Sequence, residues 1–319
     1  EAKDRKLIPT PNTMDLPADA LTIADAFKAA GYATGHVGKW HLNGDPLDYG
    51  YDINVGGGHW GFPPGNGYYS PYDLPNCVQT DEGEYLADRL GQEAVGFIHA
   101  NKDRPFFLSY AAYSIHSPIQ GKQDLIKKYE GKTPSKEHDY PEYAAMIQSL
   151  DENVGRVLDT LKELDLERDT LVVFSSDNGG VWRWSKQWPL RAGKGSFTEG
   201  GIRVPMFARW PGKIEPGIVS ETPVNGIDLF PTFLEAARIG VPKDKVLDGV
   251  SLMPLFQPKG SIADRALFWH FPIYLQGACP ERHDPLFRTR PGSVVRSGDW
   301  KLHEYFEDGR LELYNLKDD

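Results

Sequence analysis

Four stretches of this chain carry side chains able to hold an oxyanion beside a divalent cation. Lys39 and His41 follow the apolar run that ends at Gly38. His116 closes a second run, Phe106 to Ala112, and Asp177 with Asn178 closes a third, Thr170 to Phe174. The fourth is a glycine-rich loop, Arg191-Ala192-Gly193-Lys194-Gly195, running on to Glu199-Gly200-Gly201-Ile202-Arg203-Val204-Pro205. Lysine and histidine supply positive charge and N–H donors, and an Asp-Asn pair supplies hard oxygen ligands of the kind Ca2+ or Mg2+ accepts. Each has a plainer explanation when taken singly. Asp-Asn-Gly-Gly makes a turn after a strand, a lone lysine is a solvated surface group, and lone histidines are hydrogen-bonded structural groups. Their coincidence at strand ends favours a site, because open α/β sheets bind ligands beyond the carboxyl ends of their strands.

The elements that must position these residues follow from periodicity. Thr22 and Asp25 form a capping box ahead of Ile23, Ala24 and Phe27, and Gly31 stops that helix. Tyr32 to Val37 reads as a strand. A second helix is predicted over 84–100, with Leu86, Leu90, Ala94, Phe97 and Ile98 on one face. The longest is predicted over 140–164, where Tyr143, Ile147, Leu150, Val154, Val157, Leu158 and Leu161 keep the period. Thr170 to Phe174 reads as a fully buried strand. Residues 1–18 and 42–79 read as irregular. Helices alternating with apolar strands predict an α/β fold with a mostly parallel sheet flanked by helices. Beyond about 260, Val294 to Arg296, Trp300 to Tyr305 and Leu311 to Leu316 alternate between turn signals, which predicts a small antiparallel C-terminal subdomain over 261–319.

Composition excludes several classes of function. The 319 residues hold 35 Lys and Arg against 45 Asp and Glu, a net charge of −10, which argues against nucleic acid as a partner. No run approaches the 18 apolar residues of a membrane span. Two cysteines, Cys77 and Cys279, make no disulfide framework, though one bridge stays open. Gly56-Gly57-Gly58-His59-Trp60-Gly61 matches GxGxxG, but Phe62-Pro63-Pro64 follows where a helix should open. Trp182, Trp184 and Trp188, with Arg183, flank the Asp-Asn-Gly-Gly turn and could stack on a sugar ring, with core packing the plainer fate of at least one.

Gly31-Tyr32-Ala33-Thr34-Gly35-His36-Val37-Gly38-Lys39-Trp40-His41 resembles the second signature of the sulfatase family in the alkaline-phosphatase superfamily. Ser176-Asp177-Asn178-Gly179 resembles that family's late metal motif. Gly193-Lys194-Gly195 with the segment to Pro205 resembles its sulfate-lysine segment, and Phe106 to Pro118 the strand that delivers its site histidine. The resemblance runs from about Leu21 to the end. It implies a sulfuric ester hydrolase in which Asp177 and Asn178 bind a metal, usually calcium, with Mg2+ the alternative. Lys39, His116 and Lys194 would bind the sulfate oxygens, and His41 would hydrogen-bond the nucleophile. A sulfated carbohydrate is the implied substrate, and a periplasmic or secreted location is implied by the family alone. Oligomeric state is left open.

The family's nucleophile is a formylglycine made in a Cys/Ser-x-Pro-x-Arg stretch, and its metal takes an additional pair of aspartates. Neither stands in this sequence; Cys279-Pro280-Glu281-Arg282 has the wrong spacing. The resemblance therefore implies that 1–260 is an incomplete catalytic domain, that an N-terminal segment is lacking, that Asp319 is an early stop and that an unpaired sheet edge remains. It further implies that these residues alone hydrolyse nothing at a useful rate. Two other functions compete: a phosphodiesterase or phosphonate hydrolase of the same superfamily, and a binding protein that keeps a sulfated-glycan cleft without chemistry.

Overall fold

A computed structural model describes every residue except 1–3, 18, 135–137, 243–244, 278–283 and 285. The spacing-based helices and strands form, and they assemble an α/β fold with a parallel sheet flanked by helices and an antiparallel C-terminal sheet. Helix α1 (Ile23–Ala29) opens on Thr22, whose hydroxyl accepts from the Asp25 N–H while the Asp25 carboxylate accepts from the Thr22 N–H. Strand β1 (Ala33–Gly38) is the centre of a three-stranded parallel sheet in the order β2-β1-β3, with β2 at Ile53–Val55 and β3 at Phe106–Ala111. Every residue of β1 is buried, as expected of a parallel strand covered on both faces.

Side-chain alternation along β3 explains the two covers. Phe107 packs with Phe27 of α1 and with Phe233 and Leu234 of α6 (Leu229–Ala236). Leu108 and Tyr110 face the opposite way, into a core with Val37, Leu86 and Leu90. Those leucines belong to α2 (Leu86–Asn101), which rests on the long helix α4 (Pro141–Glu163); between them they bury Leu90, Ala94, Met146 and Leu161. A shorter helix, α3 (Gln123–Glu130), buries only Leu125 and Ile126 and packs against α4. The 42–79 excursion, expected as irregular, also supplies β2 and a 3-10 turn over Pro46–Tyr49.

One expectation fails. By spacing, Thr170 to Phe174 reads as a fully buried strand, but β4 (Val172–Ser175) is only half-buried and Phe174 is exposed. It pairs antiparallel with β5 (Met206–Arg209) alone, so its other edge and the outer edge of β3 have no strand partner among the described residues. Phe207 on β5 is 65% exposed beside it.

The C-terminal sheet has the order β11-β10-β9-β6, all antiparallel: β6 Ala266–Phe271, β9 Gly292–Ser297, β10 Trp300–Tyr305 and β11 Leu311–Asn315. A two-stranded ribbon, β7 (Leu275–Gln276) with β8 (Phe287–Thr289), lies between β6 and β9 in the chain. Lys301 on β10 is 1% exposed; its ammonium donates to Glu199 at 2.8 Å and lies over the Trp269 ring. Glu199 opens α5 (Glu199–Ile202), so this ion pair fastens the glycine-rich loop to the C-terminal sheet. No helix among the described residues is long and apolar enough to cross a membrane. Cys77 is a free, buried thiol pushed up to about 12 by burial, and Cys279 lies outside the described residues.

His36, buried in the centre of β1, is held down to about 4 chiefly by burial, against an ordinary value of 6.5. Its Nε2 donates to the Gly38 carbonyl, and its Nδ1 has no partner among the described residues. The unfolded chain therefore binds the extra proton between those two values. The stability from neutral His36 is full above pH 6.5 and drains away as pH falls toward 4, about 3 kcal/mol in all. Replacing it (H36Q) is expected to flatten urea midpoints across pH 4–6.5; an unchanged slope would show that the imidazole is not held neutral.

Candidate functional site

Lys39 leaves the sheet where β1 ends. A Cβ at Gly38 would collide with the Ala111 carbonyl oxygen, and that closeness lets the Lys39 N–H donate to the same oxygen at 2.7 Å. Two residues on, the His41 N–H donates to the Gly58 carbonyl at 2.8 Å, and the imidazole fills the space that a side chain at Gly61 would need. His41 has φ 64, the left-handed region that a histidine enters only at a cost. The 42–79 excursion thus forms one wall behind the lysine and the histidine.

The same excursion fixes His116. Tyr68, fully buried, donates its hydroxyl to the carbonyls of Tyr113 (2.7 Å) and His116 (2.9 Å), and Tyr113 donates to the Gly56 carbonyl. His116 Nδ1 lies 2.9 Å from the Ser117 carbonyl, which can only accept. The proton therefore sits on Nδ1, and Nε2 stays available to take a second proton and donate.

Asp177 and Lys194 are brought together by two backbone bonds at the Gly179-Gly180 turn. Gly179 N–H donates to the Gly201 carbonyl at 2.9 Å, and Lys194 N–H donates to the Gly180 carbonyl at 2.8 Å. Inside the loop, the hydroxyls of Ser196 and Thr198 donate to the carbonyls of Gly193 and Arg191. Ala192, buried at φ 61, is a second non-glycine residue in the left-handed region, two places before Lys194.

The side chains converge. Lys39 donates to the Asp177 carboxylate at 3.2 Å, with the lysine 18% and the aspartate 65% exposed. Burial holds both His41 and His116 below the ordinary histidine value; Lys39 and Lys194 push the same way, and Asp177 opposes them. Lys194 is lowered by burial first; Asp177 counters this, while Lys39 and Arg288 add to it. Lys39, His41, His116, Asp177 and Lys194 therefore share one electrostatic neighbourhood. Arg288, on β8, joins them although nothing in the sequence marked it; it stands in a three-residue strand with no motif around it.

Asn178 sits beside Asp177 and turns its amide N–H toward the Gly179 carbonyl, which leaves its Oδ1 as an oxygen donor next to the carboxylate. These two oxygens suit a hard divalent cation as part of its ligand set. Among the described residues no group of three or more His, Cys, Asp or Glu side chains could hold an ion. A cavity of about 410 Å³ lies elsewhere, lined by Lys6, Arg290, Tyr305, Glu307 and Arg310 among others, and none of the cluster residues lines it. The tryptophans beside the turn are partly engaged: Trp184 meets Tyr140 edge-on and Arg183 lies over its face, Lys186 lies over Trp182, and Trp188 is exposed.

Comparison with known proteins gives a consistent set. Residues 7–239 match the family model Sulfatase, and residues 193–319 match N-sulphoglucosamine sulphohydrolase, C-terminal. A Formosa agariphila protein described as a sulfatase is 31% identical over 95% of this chain and 65% of its own length. Human arylsulfatase A is 32% identical over 92% of this chain and 60% of its own length. This chain thus spans just under two thirds of both relatives. The crystal structure of Ps i-CgsB in complex with k-i-k-neocarrahexaose superposes with a TM-score of 0.79 at 30% identity, covering 98% of this chain and 71% of that one.

The cluster makes a direct electrostatic prediction. In a metal-free sample with chelator, D177N is expected to lower the ring-proton titration midpoints of both His41 and His116 in NMR spectra, because the one opposing negative charge is gone. Midpoints that stay in place would show that the carboxylate does not face these rings.

Proposed function

Because the chain belongs to the sulfatase family, we propose that its cluster grips the sulfate ester of a sulfated carbohydrate, the reacting group of a sulfuric ester hydrolase. One observation supports this reading: four basic side chains from three separate segments lie within electrostatic reach of a single carboxylate, Asp177, and Lys39 touches it. Lys39, Lys194 and His116 bind the ester's oxygens and neutralise charge as it builds there, while His41 would hydrogen-bond the nucleophile. Such fixed donors in a partly desolvated site stabilise developing oxyanion charge without reorganising. The carbohydrate assignment draws on the hexaose complex of the similar structure and on the exposed Trp188 and partly exposed Trp182 beside the turn.

Asp177 and Asn178 would hold the divalent cation, Ca2+ or alternatively Mg2+, which when bound supplies Lewis-acid neutralisation of a sulfate oxygen. No formylglycine can be assigned, since no Cys/Ser-x-Pro-x-Arg stretch occurs in the sequence, so no nucleophilic step is given to any residue here. We assign the catalytic role to the α/β part, 1–260, and a supporting role to the antiparallel sheet, 261–319. A periplasmic or secreted location is supported by family membership alone.

Histidines kept neutral by burial and by neighbouring cations become charged when an anion arrives. Affinity for the ester should therefore rise as pH falls from 8 to 6. In calorimetry, a sulfated galactan oligosaccharide is expected to bind and its chemically desulfated counterpart not to bind. K194A should weaken the sulfated ligand about tenfold or more, the worth of a charge-assisted hydrogen bond. Equal binding of both oligosaccharides would overturn the assignment. Sulfate release by these residues alone is not expected, and detecting it would overturn the statement that they lack a nucleophile.

A further inference from the structure

Arg288 stands out because its site is built and no carboxylate among the described residues answers its charge. Its stem runs against Gly195: a Cβ there would lie 3.2 Å from the arginine Cδ and would also collide with Leu275. The guanidinium lies over Gly277, where a Cβ would approach Nε to 3.2 Å and Nη2 to 3.3 Å. Both glycines have positive φ, +83 and +98, so neither position readily accepts a side chain that would displace the arginine. Arg288 is held between the loop that carries Lys194 and the ribbon that carries itself.

That placement leaves polar capacity unused. Among the described residues the buried Nε of Arg288 has no hydrogen-bond partner, and no carboxylate forms an ion pair with the guanidinium. Arginine stays charged at any working pH and presents a planar fork matched to sulfate or carboxylate. Around Lys194, the positive charges of Lys39 and Arg288 crowd against its own, and Asp177 is the carboxylate that opposes them. One bound sulfate ester cannot balance that set while also leaving the Arg288 fork satisfied.

We propose that Arg288 is a specificity-determining residue that binds a second anionic group on the substrate, a sulfate or carboxylate on the sugar unit beside the ester gripped by Lys194. The inference rests on the sulfate-ester reading above and narrows it to densely charged glycans. Its position on the β7–β8 ribbon gives the C-terminal part of the chain a direct hand in selecting substrate.

The test compares sulfated galactan oligosaccharides of equal length that carry one or two sulfates per disaccharide, measured by calorimetry on the wild-type chain, R288Q and R288K. The ratio of affinities, two-sulfate over one-sulfate, is expected to fall about tenfold in R288Q, the loss of one charge-assisted contact. R288K should recover part of the ratio, since it keeps the charge and loses the fork. A merely structural role would weaken both ligands alike, and an unchanged ratio in a variant that still binds overturns the proposal. If R288Q does not fold, the R288K ratio decides in the same way. A uronate-bearing oligosaccharide with one sulfate distinguishes the sources: sensitivity to R288Q there identifies a carboxylate as an accepted second anion. Should the wild-type chain bind neither sulfated ligand, the parent reading falls and takes this inference with it. An altered ratio with K194A still tight would retain Arg288 and overturn the parent assignment of Lys194.

Discussion

A lysine ammonium with 1% exposure sets the architecture of this molecule. Burying an unpaired charge costs far more than any single apolar contact returns, so Lys301 obliges Glu199 to stay where it is, 2.8 Å away. Glu199 opens the short helix whose Gly201 carbonyl receives the Gly179 N–H, and Lys194 in the same loop donates back to Gly180. The C-terminal sheet therefore holds the glycine-rich loop, and the loop holds the Asp177 turn. The Trp269 ring lies beneath the Lys301 ammonium and helps to bury it.

That fastening explains how like charges can be crowded. Lys39 and Lys194 repel each other and both oppose protonation of His41 and His116, so the cluster without ligand is poised but not relaxed. An arrangement of this kind needs stiff support, because flexible lysines would swing into water and lose their common focus. Backbone hydrogen bonds to Ala111, Gly58 and Gly180 provide that support at the chain positions of Lys39, His41 and Lys194. The cost is carried by the fold, and on the proposed reading the gain comes with the bound anion.

Much of this was legible in the sequence where the cause was local. Thr22 and Asp25 announce a helix start by their own hydrogen bonds, and the face of Leu86, Leu90 and Ala94 marks α2 by spacing. The candidate site residues Lys39, His116 and Asp177 could be grouped because strand ends in an α/β sheet point to one rim. What escaped was decided at long range. The three residues of β2 gain strand geometry only by lying beside β1, and α3 has just two buried apolar side chains to declare it. An uninterrupted apolar run suggested that β4 is covered on both sides, yet burial is a property of neighbours, and Phe174 has too few. Arg288 is the clearest case: Phe287-Arg288-Thr289 carries no pattern, and its meaning comes wholly from folding against Gly195.

Of the six described non-glycine residues in backbone conformations better suited to glycine, two, His41 at φ 64 and Ala192 at φ 61, lie within two positions of a cluster lysine. Such conformations cost about 1–3 kcal/mol apiece. Glycine at either place would relieve that strain, and at position 41 it would do so by deleting the imidazole. A population of variants screened only for thermal resistance would therefore drift away from His41. Retention of histidine there under mutational pressure would record selection for chemistry, separable from selection for folding.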